Sequence, residues 1–218
     1  FTKPPQSVWM AYFNSILISG VVTVLVVLLA GMAAFAMVRY RFRGRRFLDS
    51  LIIASLMFPV FSTIIPVFQM LSAINVTDSP VGVILPQIAG NLSFAMVILM
   101  GYIRSLPVDL EESAFLEGCN VFQVFYKVIL PVCRPAFATV AIFSFLWSYN
   151  DLFTQLFFLR SPEKWTITRF LNEVSSQFGT DYGMMCAVVT LIFVPVMIVY
   201  VFLQKNIIKG LTAGAIKG

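Results

Sequence analysis

The chain has 218 residues, 59% of them hydrophobic and only 11% charged, with a formal net charge of +5 and no histidine. A water-facing globule cannot divide such a mixture between inside and outside, so the composition places the chain in a bilayer. Three scattered cysteines without any His leave no zinc-ligand spacing, no Cys-x-x-Cys pair and no Ser-His or Cys-His nucleophile, and the basic excess is a matter of membrane topology rather than of nucleic acid.

Residues 1–14 read as an external N-terminal segment. Five stretches of about 20 mostly apolar residues then follow, enough for a membrane-spanning helix each: 15–38, 47–67, 83–103, 136–159 and 184–203. After the first stretch come Arg39, Arg41, Arg43, Arg45 and Arg46, while the link near residues 75–80 has no basic residue. Lys and Arg collect on the cytoplasmic side, so the first link is inside. Alternation then puts Arg104, Lys127, Arg134 and the basic tail inside as well, leaving only Lys3, Arg160, Lys164 and Arg169 outside. The tail, 204–218, is thereby cytoplasmic. A chain that starts outside after synthesis in the cytoplasm requires one more helix upstream, which predicts six spans for the complete protein. The expected fold is all-α, a polytopic helix bundle occupying residues 15–203.

Several features fit a bundle around a path. Pro59, Pro66, Pro86 and Pro195 lie in or beside the spans, where freed backbone groups need neighbouring helices or water. Ala30, Gly31, Ala33, Ala34 and Ala36 form a row that lets another helix approach closely. The five arginines read as a topology anchor against anionic lipid. Asn150 and Asp151 sit about two thirds of the way through the fourth stretch, and Asn91 lies within the third; polar groups at such depth face a bundle interior, a neighbouring helix or a wet cavity. With Trp147 and Tyr149 as aromatic faces, these five residues are the candidates for a substrate path, against the alternative that they are belt or core residues.

Between the third and fourth stretches, residues 105–134 are too long and too patterned for a simple turn. Pro107 suits a first helical position with Ser105 as a nearby cap, and Asp109, Glu111 and Glu112 follow where the positive end of a helix dipole favours anions. Gly118 permits a conformation that ends this helix, and Asn120 suits the cap of a second one whose Val121, Val124, Phe125 and Val128 form an apolar face. Leu130-Pro131 is expected to stop it. The result is a stiff helix-Gly-helix element, acidic at its start, which anionic lipid would repel and a protein partner would accept.

These residues resemble a known pattern. The segment runs Glu112-Ser113-Ala114, three residues, Gly118, nine residues, Val128, Ile129, Leu130-Pro131. This is similar to the cytoplasmic Glu-Ala-Ala motif of the permease subunits of ABC importers, with Ser113 for Ala and Val128 for Ile as departures. Asn14-Ser15, Tyr40-Arg41-Phe42-Arg43-Gly44, Trp147 with Asn150-Asp151, and the ending from Lys209 to Gly218 extend the likeness to carbohydrate permeases of the maltose type. The resemblance implies a type I importer permease fold, a bacterial or archaeal inner membrane, and a coupling role for Glu111, Glu112, Ser113, Ala114, Gly118, Leu130 and Pro131. It also implies partners: a second, similar permease, two ATPase subunits that bind ATP and Mg, and an extracytoplasmic solute-binding protein, besides lipid. Residues from Leu211 onward are a second candidate contact with the ATPase.

This chain has no Gly-x-x-x-x-Gly-Lys-Ser/Thr loop, so it is not expected to bind the nucleotide, a cofactor or a metal, nor to be an enzyme. A stand-alone ion-coupled transporter is the rival reading; it predicts ionisable residues deep in several spans and an inverted repeat, and neither is clear in the sequence. An intramembrane enzyme would need a catalytic pair, which Asp151 alone does not make.

Overall fold

A computed structural model describes residues 7–177 and 182–215, and every regular element among them is helical. In chain order these are α1 (Val8–Arg39), α2 (Arg45–Ser55), α3 (Val60–Ala73), α4 (Pro80–Arg104), α5 (Asp109–Leu116), α6 (Val121–Val124), a π-helical turn (Phe125–Ile129), α7 (Leu130–Val132), α8 (Arg134–Asn150), α9 (Leu152–Phe158), a 3-10 turn (Pro162–Lys164), α10 (Ile167–Gln177) and α11 (Tyr182–Ala215). The tail from 216 on lies outside the described residues, as do residues 1–6. Because α1 begins at Val8, half of the segment 1–14 belongs to the first helix.

The five apolar stretches do not all become single helices. Among the described residues, α1 and α4 alone are long and apolar enough to cross a membrane unbroken, and the pair Val121–Val132 and Arg134–Asn150, bent by 83°, makes a third if taken together. The stretch 47–67 is broken at residues 56–59. Pro59 there has φ −69° and ψ 131°, offers no N–H, and disfavours helical geometry for Phe58 before it. The stretch 136–159 is broken at Asp151, whose ψ of 100° leaves the helix and whose carboxylate accepts the Thr154 N–H at 3.1 Å to start α9. The fifth stretch lies within α11.

The chain separates into two compact units. The first comprises Phe1–Thr23, Pro59–Gly90 and Ser144–Phe202. Ala11, Ile18 and Val22 of α1 are buried in it, and edge-on ring pairs Phe61–Phe153 and Phe68–Phe158, 4.7 and 5.6 Å between centroids, pack α3 against α9. Backbone ends are tied by side chains: Ser15 Oγ accepts the Ile167 N–H at 2.8 Å, and Asn14 Nδ2 donates to the carbonyls of Glu163 and Trp165 at 3.0 and 3.1 Å.

The second unit comprises Val24–Phe58, Asn91–Phe143 and Leu203–Gly218. The small-residue row has its expected use here. Ala30, Gly31 and Ala34 are buried, and a Cβ on Gly31 would stand 2.6 Å from Phe137 Cε1, so only glycine admits that ring. Phe125 links the cluster, 5.8 Å from the Phe35 ring and 6.3 Å from that of Phe137.

Candidate functional site

The segment 105–134 forms the helix-Gly-helix element expected of it, with differences at both ends. Asp109, Glu111 and Glu112 occupy the first turn of α5. Pro107 precedes the helix by two residues, and Ser105 hydroxyl donates to the Tyr102 carbonyl at 2.7 Å, closing α4 rather than capping α5. Gly118, at φ +85°, ends α5: its N–H reaches the Phe115 carbonyl and the Cys119 N–H reaches that of Ala114, both at 3.0 Å. This crossed pair satisfies two carbonyls that a helix end would leave orphaned, and it requires a left-handed residue. Asn120 then caps α6 reciprocally with Gln123, at 2.9 and 2.8 Å.

Pro131 does not stop this second helix. The chain stays helical to Val132, and the proline acts upstream instead: it has no N–H to give and its ring crowds the carbonyl four residues back. The turn before it widens to a π turn in which the Leu130 N–H reaches the Phe125 carbonyl, five residues away. The widening alters the inward face. Val124, Phe125 and Ile129 are buried, Val128 and Leu130 are half-buried, and Val121, expected inside, is exposed.

The two adjacent carboxylates of α5 have opposite surroundings. Glu111 is buried, with its Oε1 2.5 Å from Arg39 Nε at the end of α1, and Arg39 also donates to the Leu106 carbonyl at 3.1 Å. Glu112 is exposed, as is Ser113, whose hydroxyl folds back on the Asp109 carbonyl at 2.8 Å. Ala114 is buried beneath them. The same segment leaves large apolar side chains in the open: Leu116, one turn after Glu112 on α5, is 90% exposed, Phe122 of α6 76% and Tyr126 of the π turn 70%. Sequence reasoning grouped Arg39 with the other arginines and missed its partner; its place as the last residue of α1 was the available signal.

The candidate path residues are divided by the fold. Trp147 and Asn150, three apart on α8, are both exposed, and Asn150 Nδ2 donates to the Leu146 carbonyl at 2.8 Å. Tyr149 is wholly buried, its ring stacked on Phe145 at 5.7 Å. Asp151 is half-buried and held from two sides, by the Thr154 N–H and by Gln87 Nε2 at 2.8 Å. Gln87, which the sequence did not single out, also accepts from Ser148 Oγ at 2.5 Å, while Gln155 donates to the Ser148 carbonyl at 3.1 Å and accepts from Thr166. Asn91 is buried and falls in the second unit.

A further polar joint in the first unit centres on Asp78, which takes φ 55° in the link before α4. Burial raises its carboxyl, but the Ser161 hydroxyl and N–H, Lys164 Nζ at 3.1 Å and the Arg160 N–H at 2.9 Å outweigh this and hold it well below the usual carboxylate range.

A model of the family described as binding-protein-dependent transport system inner membrane component matches residues 26–213. The trehalose transport system permease protein SugB of Mycobacterium tuberculosis is 36% identical over 212 residues, 95% of this chain and 77% of the relative. The arabinooligosaccharides transport system permease protein AraQ of Bacillus subtilis is 33% identical over 207 residues, 95% of this chain and 73% of the relative. The fold is similar to that of a chain from a crystal structure of a bacterial ABC transporter involved in the import of the acidic polysaccharide alginate, with a TM-score of 0.76 at 24% identity over 90% of this chain and 74% of that one. These relatives are named as permeases, and the assignment displaces the stand-alone ion-coupled carrier. The chain belongs to the family of inner membrane components of binding-protein-dependent transport systems.

Proposed function

We propose that this permease carries a carbohydrate and that residues 105–134 are its cytoplasmic coupling element, docked on a separate ATP-hydrolysing subunit. The observation that carries the coupling role is the split between neighbouring carboxylates: Glu111 is turned inward onto Arg39, while Glu112 stands exposed on a segment that also exposes Leu116, Phe122 and Tyr126. An exposed carboxylate on a segment that also exposes large apolar side chains suits a protein cleft better than an anionic lipid surface. The carbohydrate reading is supported by the relatives named for trehalose and for arabinooligosaccharides.

In this scheme ATP and Mg are held by the partner, whose closure displaces the knob. Gly118 and the Asn120–Gln123 cap keep the knob stiff, and the Glu111–Arg39 pair ties it to α1. The 83° bend between Val121–Val132 and Arg134–Asn150 makes the segment a lever arm on α8. On α8, Trp147 offers an aromatic face and Asn150 an amide to a sugar, while Asp151 orients Gln87. The assembly is completed by a second permease, two ATPase subunits and an external solute-binding protein, in a bacterial or archaeal inner membrane with residues 204–218 in the cytoplasm.

The test is uptake of labelled oligosaccharide into proteoliposomes holding the whole complex and ATP. Glu112→Lys is expected to leave membrane insertion intact while reducing ATPase copurification and uptake together by at least about tenfold, the scale of one interfacial charge contact. A charge-reversed complex that copurifies and pumps normally removes Glu112 from coupling.

A further inference from the structure

The turn joining α1 to α2 gathers positive charge that the described residues do not neutralise. Arg41, Phe42, Gly44, Arg45, Arg46 and Asp49 line a cavity of about 630 Å³. None of Arg41, Arg43, Arg45 and Arg46 makes an ion pair among the described residues, and Asp49, the single carboxylate of the lining, lies 3.9 Å from Arg104. Gly44, at φ +90°, lets the chain reverse into α2, whose N-terminal end has no side-chain cap. Guanidinium groups around an open cavity match a phosphate, which they bind in paired, planar fashion.

The surroundings identify what bears that phosphate. Phe42, Phe47 and Leu51 are 42%, 68% and 50% exposed, so an apolar surface continues from the cationic cavity along α2. A free phosphate or a nucleotide would leave those side chains in water, whereas hydrocarbon attached to the phosphate would cover them. The apolar helix α1 ends at Arg39, two residues before the lining begins, so the cavity lies at the edge of a span. We propose that this cavity is a binding site for the headgroup phosphate of an anionic phospholipid, whose acyl chains lie along Phe47 and Leu51.

The experiment uses the assembled importer in nanodiscs of equimolar phosphatidylglycerol and phosphatidylcholine, with trace spin-labelled lipid of either kind reporting which is immobilised. Wild type is expected to prefer phosphatidylglycerol. In Arg45→Gln/Arg46→Gln that preference should fall by about tenfold or more, since each basic residue near a membrane surface contributes about 1 kcal/mol. Arg39, Arg41 and Arg43 remain to hold the topology. Phe47→Ala, which leaves every charge in place, should also lower retention, and it serves where the double variant does not assemble. Equal preference in wild type and both variants overturns the site. Loss of the wild-type preference on adding millimolar inorganic phosphate assigns the cavity to a soluble anion instead, and loss on stripping the ATPase subunits assigns the arginines to a protein contact; either result sinks the lipid proposal.

Discussion

The Arg39–Glu111 pair of the second unit and the Gln87–Ser148–Asp151 lattice of the first place polar groups inside helix packing by opposite means. The pair concentrates everything in one 2.5 Å contact between a guanidinium and a carboxylate, with one further bond to a carbonyl. The lattice spreads the task around one carboxylate, Asp151, over several neutral groups, so that Gln87, Ser148, Gln155 and Thr166 each hold more than one neighbour or are held by another. Charge buried at a single point makes a joint stiff and unforgiving; bonds shared among several groups make one that keeps its other bonds when a member is lost. The stiff joint lies in the segment read as a lever, and the tolerant one lies beside the residues read as a path.

The largest expected effect breaks the pair from one side. Glu111→Leu leaves the Arg39 guanidinium buried without its counter-charge, at a cost of about 3–5 kcal/mol, read as a lower denaturation midpoint of the purified complex. The double change Arg39→Met/Glu111→Leu should recover most of that loss, because two apolar side chains need no desolvation. If the double variant is as unstable as the single one, the contact is not the concentrated joint described here. A smaller effect sharpens the other half of the comparison. Ser148→Ala removes one neutral bond from the lattice and should cost only about 1 kcal/mol by the same measurement; a loss comparable with that of Glu111→Leu would erase the distinction.

The smallest effect concerns acid. Asp78 is held below the usual carboxylate range in the folded chain, so the stability it supplies is present in full above the unfolded value of about 4 and is lost as pH falls through the lower folded value. Asp78→Asn should therefore flatten the decline in stability below about pH 4 while leaving the slope near neutrality unchanged. An unaltered acid limb would mean that Asp78 titrates alike folded and unfolded.

What the sequence made legible was local. The acidic first turn, Gly118 and Asn120 lie within twelve residues of one another and each acts through its own backbone, so their positions alone predicted the element. The helix breaks were hidden because hydropathy averages over them: Leu56, Met57 and Phe58 are as apolar as any span residue, and only Pro59 marks the interruption. Asp151 caps α9 through Thr154 and takes a separate bond from Gln87 of a different helix, and the second of these depends on packing that its own position does not announce. Tyr149 and Trp147 are both aromatic and two residues apart, and which of them faces inward is settled by Phe145 and the neighbouring helices rather than by either side chain. Arg39 was read as one of five equal charges, and its difference arises only when α5 brings Glu111 beside it.

The π turn at Phe125–Ile129 has a further bearing on how this chain tolerates change. Each residue of an α-helix advances the chain by about 100° around its axis. Excising a single residue from Val121–Val124, where the bonds are α-helical, would therefore swing everything downstream by more than a quarter revolution, taking the Ile129 and Cys133 side chains out of the interior and re-aiming the entry to α8. The π turn itself is the exception, since one residue fewer there lets its five-residue bond close to an α-helical one and leaves the flanks in phase. Libraries built on this region should hold the residue count fixed in Val121–Val124 and place any deletion in Phe125–Ile129.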